Sequence, residues 1–224
     1  MIIIITPCSA NKDDSTPIPN SFKTVQPSDY LDDKNLISIL QRTREQIFRD
    51  PRTCLGARTT YAFDLYVRTG KAYRDLRESN NQQKIKSTLI SGDEIKWFFL
   101  SGAYGIIPAL EAAKKYQATF DKNIERKKKI PYTADLWKNT LPLICNAIFS
   151  KLHPTWLYVF GSKSYTYFIK QTDFWKTKET VKMFESTGQS GPSWLSPKLD
   201  DLVSSLLNNQ LDAFNKRYPK FIKQ

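Results

Sequence analysis

WFFLSGAYGIIPALEAAKKYQATF, residues 97–120, carries a change of structure every few positions. Lys96-Trp97-Phe98-Phe99-Leu100 is a short apolar run, rich in aromatics and bounded by polar residues, which reads as a buried strand. Ser101-Gly102 breaks it, and Tyr104-Gly105 follows at once. Small residues at such a break let backbone approach backbone, or a ligand, closely. The local reading is strand, tight turn, aromatic, second turn.

Two further runs share this pattern. Residues 1–5, MIIII, are continuously apolar and β-branched, as in a buried parallel or central strand. Pro7 cannot donate to a ladder, so that strand ends in Thr6-Pro7-Cys8-Ser9. Residues 156–160, WLYVF, end in Gly161-Ser162, and 163–170 has helical spacing with Ser162 as a candidate N-cap. Between the runs, 35–50 places Leu36, Leu40, Thr43 and Ile47 on one helical face, stopped by Pro51. Residues 60–77 read as a helix broken near Gly70. Polar residues 80–86 read as a surface loop. A helix is expected over 132–149, with Pro142 at a kink or turn, and a strand within 176–184. Residues 13–27 and 186–193 read as loops. A last helix is expected to start at Ser196-Pro197, with a stripe of Leu199, Leu202, Val203, Leu206, Leu207, Leu211 and Phe214. Alternation of strand and helix from residue 89 onward predicts an α/β fold: one domain over 1–224, with a mixed, largely parallel sheet flanked by helices.

The central block resembles a known family. YaaA-type peroxide-stress proteins and their uncharacterised relatives carry SGxYGxLxPxxxIxPY. Ser101-Gly102-Ala103-Tyr104-Gly105-Ile106-Ile107 matches it, and Tyr116 falls on the family tyrosine without a gap. Glu111 sits where the family has an acidic residue. Ala109 replaces an expected proline, Lys115 another, and Gln117 the usual arginine. The resemblance extends over 1–12 and 57–185, with Lys12 matched to a family lysine and Tyr165 to a tyrosine after the third strand. Residues 13–56 have no counterpart and read as a family-divergent insertion. The resemblance implies a protein that associates with DNA in oxidative-stress defence.

Composition bears on partners. Lysine and arginine number 34 against 22 aspartate and glutamate, a net charge of +12. That favours phosphate-rich partners, nucleic acid or a phosphate-bearing nucleotide; the family resemblance implies DNA before RNA. Cys8, Cys54 and Cys145 are scattered and His153 is the single histidine, which excludes the familiar Cys/His zinc spacings. No metal or cofactor is expected. An odd cysteine count and the absence of a signal peptide or membrane-length run lead to an expectation of a cytoplasmic protein without membrane contact.

If the three apolar strands are parallel neighbours, their polar ends converge on one sheet edge, where open α/β sheets bind ligands. Candidate ligand contacts are Cys8, Ser9, Arg58, Gly102, Gly105, Tyr116, Gly161 and Ser162. Candidate catalytic residues are Lys12, Ser101, Tyr104 and Glu111, the last as general base or orienting group. Cys8 is a nucleophile only if its pKa is lowered. Tyr104 and Tyr116 are expected to border one cleft and to stack on a base. Lys114, Lys115, Arg126, Lys127, Lys128, Lys129 and Lys163 are candidate nucleic-acid contacts, with a solvated charged face as the alternative. Two functions stay open: a DNA-associated binding protein, or an enzyme acting on a nucleotide, nucleobase or N-glycosidic bond.

Overall fold

The three apolar runs form adjacent strands. The computed structural model describes residues 1–18, 24–187 and 191–223. Strand β1, Ile2–Pro7, pairs in parallel with β3, Ile95–Ser101, on one side and with β6, Trp156–Ser162, on the other. β6 pairs in parallel with β7, Val181–Ser186, and β7 with β8, Phe221–Lys223. β4, Gly105–Pro108, turns back antiparallel on β3, so the six-stranded order is β4-β3-β1-β6-β7-β8. Short β2, Thr59–Tyr61, and β5, Ala112–Lys114, form a separate antiparallel pair.

Helices cover both faces, and alternation along the strands shows which. Trp97 and Phe99 of β3 meet Phe63 and Tyr66 of α2, Ala62–Val67, while Phe98 points the other way onto Tyr30 in a 3-10 turn at Pro27–Tyr30. With α2 lie α3, Arg74–Glu78, and α4, Asn81–Ser91. On β7, Phe184 meets Phe214 of α11, Leu211–Arg217, beside α10, Gly191–Leu207; Glu185 faces α8, Lys163–Lys170. α8 neighbours α7, Leu141–Leu152, and α9, Asp173–Thr177. α1, Lys34–Arg49, packs against α7; α5, Lys122–Lys128, and α6, Ala134–Trp137, lie between β5 and α7 in sequence. The buried hydrophobic side chains form one cluster. The fold is therefore a single α/β unit with a mixed, largely parallel sheet.

Several local expectations change. Residues 81–86 are not a loop: they are the first half of α4, whose apolar side is Ile85 and Leu89, four residues apart. Residues 60–77 are not one broken helix but β2, α2, a 3-10 turn at Lys71–Tyr73, and α3. Gly70 makes the break, because a Cβ there would lie 2.6 Å from the Tyr66 carbonyl oxygen. α10 starts at Gly191, upstream of Ser196, and carries Pro197 within it; Ser196 Oγ accepts the Asp75 N–H at 2.9 Å instead of capping a helix. Pro142 lies in the first turn of α7, where its missing N–H has no intrahelical partner to lose. Residues 188–190 of the expected Gly/Ser loop, and 19–23 of the earlier one, lie outside the described residues. No described helix is long and apolar enough to cross a membrane.

Candidate functional site

The C-terminal ends of β1, β3 and β6 lie on one edge, because the three strands are parallel neighbours. From β1 the chain passes to β3 on one side and later to β6 on the other. The strand order therefore reverses between β1 and β6, the place where open α/β sheets form a crevice. A cleft of about 1370 Å³ lies there, lined by Cys8, Ser9 and Lys12 after β1 and by Ser162 and Lys163 after β6. Its opposite wall comes from residues around α5 and α6.

The cleft is basic and aromatic. Among the described lining residues, Lys122, Lys127, Lys128 and Lys138 come from the α5–α6 side, and Lys12, Lys71 and Lys163 from the sheet side. Only Asp121 and Asp135 oppose these seven lysines, while Phe120, Tyr132, Tyr165, Tyr167 and Phe168 supply rings. Lys122, Asn123, Ile124, Lys127 and Lys128 thus form part of one wall of a concave surface. Lys12, Lys127, Lys128 and Lys163 are candidates from the sequence, at a strand end or in a charge run. Lys71 and Lys138 are not, because neither stands in a charge run or directly after a predicted strand.

Lys12 has an unusual setting. It is 9% exposed, and its Nζ lies 4.1 Å from the centroid of the Tyr116 ring. Burial pulls its pKa down to about 8, opposed by Cys8 and assisted by Lys128 and Lys115. Cys8 is half-buried; its Sγ lies 3.5 Å from the Tyr165 hydroxyl, and its N–H donates to the Leu100 carbonyl. Burial raises the Tyr165 hydroxyl well above its ordinary value, so it stays protonated. Ser9 Oγ accepts the Asn11 N–H, and Ser162 Oγ shares a hydrogen bond with Ser164 Oγ instead of capping α8.

The other candidates sit behind this cleft. Tyr116 is fully buried beneath Lys12; its hydroxyl is 2.6 Å from Ser101 Oγ and accepts from Tyr66 at 3.1 Å. Ser101 Oγ also accepts the Tyr104 N–H. The Tyr104 hydroxyl accepts the Lys114 N–H at 2.8 Å, and burial pushes its pKa up to about 12. The two rings do meet, edge to face at 5.4 Å, but neither lines the cleft. The expectation that both border it and stack on a base is corrected: they are core, because each hydroxyl has a fixed internal partner. Tyr116→Phe is accordingly expected to lower stability by about 1–3 kcal/mol, since it strips partners from Tyr66 and Ser101. Denaturant unfolding reads this, and an unchanged midpoint would make Tyr116 a candidate ligand contact again.

Glu111 is also removed from the cleft. Arg44 donates to Glu111 Oε1 at 2.6 Å, to the Tyr104 carbonyl at 2.9 Å and to the Ile106 carbonyl at 2.8 Å. Burial raises the Glu111 carboxyl above its ordinary value, with Arg44 opposing. A carboxylate bound in this way braces the β3–β4 turn, and Glu111 does not line the cleft. Arg44 comes from the stretch read as an insertion. Gly102 is packed by backbone, since a Cβ there would lie 2.7 Å from both the Ala118 carbonyl carbon and the Thr119 nitrogen. Gly105 turns the chain at φ +70° against the Trp137 ring. Gly161 is packed on Tyr165, and Arg58 is exposed and outside the lining. Lys114, Lys115, Arg126 and Lys129 do not line the cleft either.

The chain is thus an α/β protein with a lysine-rich cleft at its switch point. Comparison with protein-family models, curated proteins and solved structures finds no match in any of the three.

Proposed function

We propose that the protein is nucleic-acid-associated and holds a phosphate-bearing strand or nucleotide in this cleft. The supporting observation is the lining: seven lysines against two aspartates, interleaved with aromatic rings, in one concave surface. Lysines neutralise phosphates and release their counterions, while rings accept any base by stacking. The resemblance of residues 101–116 to the YaaA-type block favours DNA over RNA and a part in oxidative-stress defence.

A second reading, an enzyme acting on a nucleotide or N-glycosidic bond, draws on Lys12. A buried amine without a carboxylate partner is a chemical group as well as a charge.

The test is a titration of labelled single-stranded and duplex DNA at two salt concentrations. Affinity is expected to fall with salt and to be largely independent of sequence. Replacing Lys127, Lys128 and Lys163 with alanine should weaken binding. The log–log salt slope should become shallower by about 0.7–0.9 for each phosphate no longer neutralised. Affinity indifferent to salt, or a triple variant that binds like the parent, would overturn the reading.

A further inference from the structure

Among the described residues two lysines are buried, Lys12 and Lys182, and they differ in their acceptors. Lys182, 6% exposed, donates to the backbone carbonyls of Asn215 and Tyr218. Half-buried Lys86 and Lys170 bind the carboxylates of Asp64 and Glu185. Lys12 is nine-tenths buried and lines the cleft, yet among the described residues its Nζ has only the face of Tyr116. An ammonium without a counter-charge is disfavoured at such a place, whereas a neutral amine is not.

We propose that Lys12 is an amine nucleophile that forms an imine with the aldehyde or ketone carbonyl of a phosphate-bearing sugar held in the cleft. This deepens the reading of the cleft as a phosphate site and rests on it. The surrounding lysines hold the phosphate, and Lys12 meets the carbonyl.

Around Lys12 the charged and titratable groups are Cys8, Lys128 and Lys115, with the Tyr116 ring against its Nζ and the Tyr165 hydroxyl 3.5 Å from Cys8 Sγ. With its pKa near 8, a useful fraction of Lys12 is neutral at neutral pH. The nitrogen lone pair bonds to the carbonyl carbon, and the carbonyl π pair moves to oxygen. That oxygen takes one of the two nitrogen protons, relayed across the Tyr165 hydroxyl, which lines the same cleft and is itself left protonated. The resulting hydroxyl leaves as water with the second nitrogen proton, and the nitrogen electron pair closes the carbon–nitrogen double bond. Amine and carbonyl give imine and water, with no change in oxidation state, and water reverses the step.

Two sources share this chemistry: the ring-opened deoxyribose at an abasic position in DNA, and a free pentose phosphate. The full chain is incubated separately with a duplex carrying one abasic site, with ribose 5-phosphate and with an intact duplex, each with sodium cyanoborohydride. Intact mass and peptide mapping then locate any reduced adduct. The expected result is an adduct at Lys12 with one of the first two probes, which identifies the source, and none with the intact duplex. Its rate should rise with pH around about 8, not around the ordinary lysine value of 10.5. Lys12→Arg and Lys12→Met, each checked by thermal melt, should lose the adduct by at least about tenfold while still binding intact duplex. Should neither variant fold, the peptide map and pH midpoint of the parent decide. No Lys12 adduct with either sugar probe, or labelling spread evenly over surface lysines, overturns the proposal. Salt-dependent binding of intact duplex without an adduct would leave the cleft reading standing and remove only the amine chemistry. An adduct with ribose 5-phosphate in a protein that binds no DNA would support the amine and remove the nucleic-acid reading.

Discussion

Arg44→Met is expected to lower stability by about 3–5 kcal/mol, because it leaves one member of a buried ion pair without its partner. In a chain of this size that corresponds to a fall in melting temperature on the order of 10 °C. The side chains of Arg44 and Glu111 are 12% and 8% exposed, and their nearest atoms are 2.6 Å apart. The guanidinium also satisfies the Tyr104 and Ile106 carbonyls, so three acceptors lose their donor at once. The effect has a pH signature. Burial already raises the Glu111 carboxyl above its ordinary value while Arg44 opposes the shift. A raised folded-state value means that the folded protein binds more protons than the unfolded chain between the two values. Stability from this group therefore falls as pH rises through that window. Removing Arg44 takes away the opposition and raises the folded value further. The deficit of Arg44→Met should thus be largest near neutral pH and shrink as pH falls toward the ordinary carboxylate range. Denaturant melts at several pH values read it. Adding Glu111→Leu to Arg44→Met should recover a large part of the loss, since an apolar pair in place of a buried ion pair is often close to neutral. A single variant as stable as the parent, or a deficit that grows in acid, would show that the pair does not brace the turn.

That ion pair also marks where sequence reading stops. The three strands were legible because each is a local signal: a run of apolar residues, then a small or proline-bearing break. Their common edge followed from the same runs, since three fully apolar strands are buried on both faces and such strands are parallel. The basic stretch 122–129 was visible as charge, but its alternative, a solvated face, differs only in what lies opposite. Lys12, Lys71 and Lys163 lie opposite, and they come from other strand ends and loops. Glu111 looked like a candidate base because it is the acid within its block; its partner is 67 positions away in α1. Tyr104 and Tyr116 looked like cleft aromatics for the same reason, and their partners Lys114, Ser101 and Tyr66 became visible only with the fold. Local pattern located the sheet edge where the cleft lies, and long-range pairing decided which neighbouring side chains line it.

Gly105→Ala should also be strongly destabilising, by about 2–5 kcal/mol, from two causes that act together. Gly105 has φ +70°, a conformation in which an L side chain crowds its own carbonyl. Its Cβ would in addition lie 2.7 Å from two atoms of the Trp137 ring. That ring has little freedom to withdraw. Trp137 is fully buried, and its Nε1–H donates to the Gly102 carbonyl at 3.1 Å, an oxygen that also accepts from Thr133 at 2.6 Å. Gly102 in turn lies against the backbone of Ala118 and Thr119. The two glycines and Trp137 therefore form one packed turn, and an added methyl at Gly105 has to displace several elements. Gly161→Ala is the comparison. Gly161 has an ordinary φ, and its nearest prospective contact is the Tyr165 Cβ at 3.2 Å, so a loss of about 1–2 kcal/mol is expected there. Denaturant midpoints rank the two, and DNA titration below the unfolding transition separates folding from binding. Gly105→Ala should bind DNA normally in the fraction that remains folded, because the turn lies behind the cleft and not in it. Full stability with weakened binding would instead make Gly105 a ligand contact. The small residues after β3 would then face a ligand and not the backbone of residues 118 and 119.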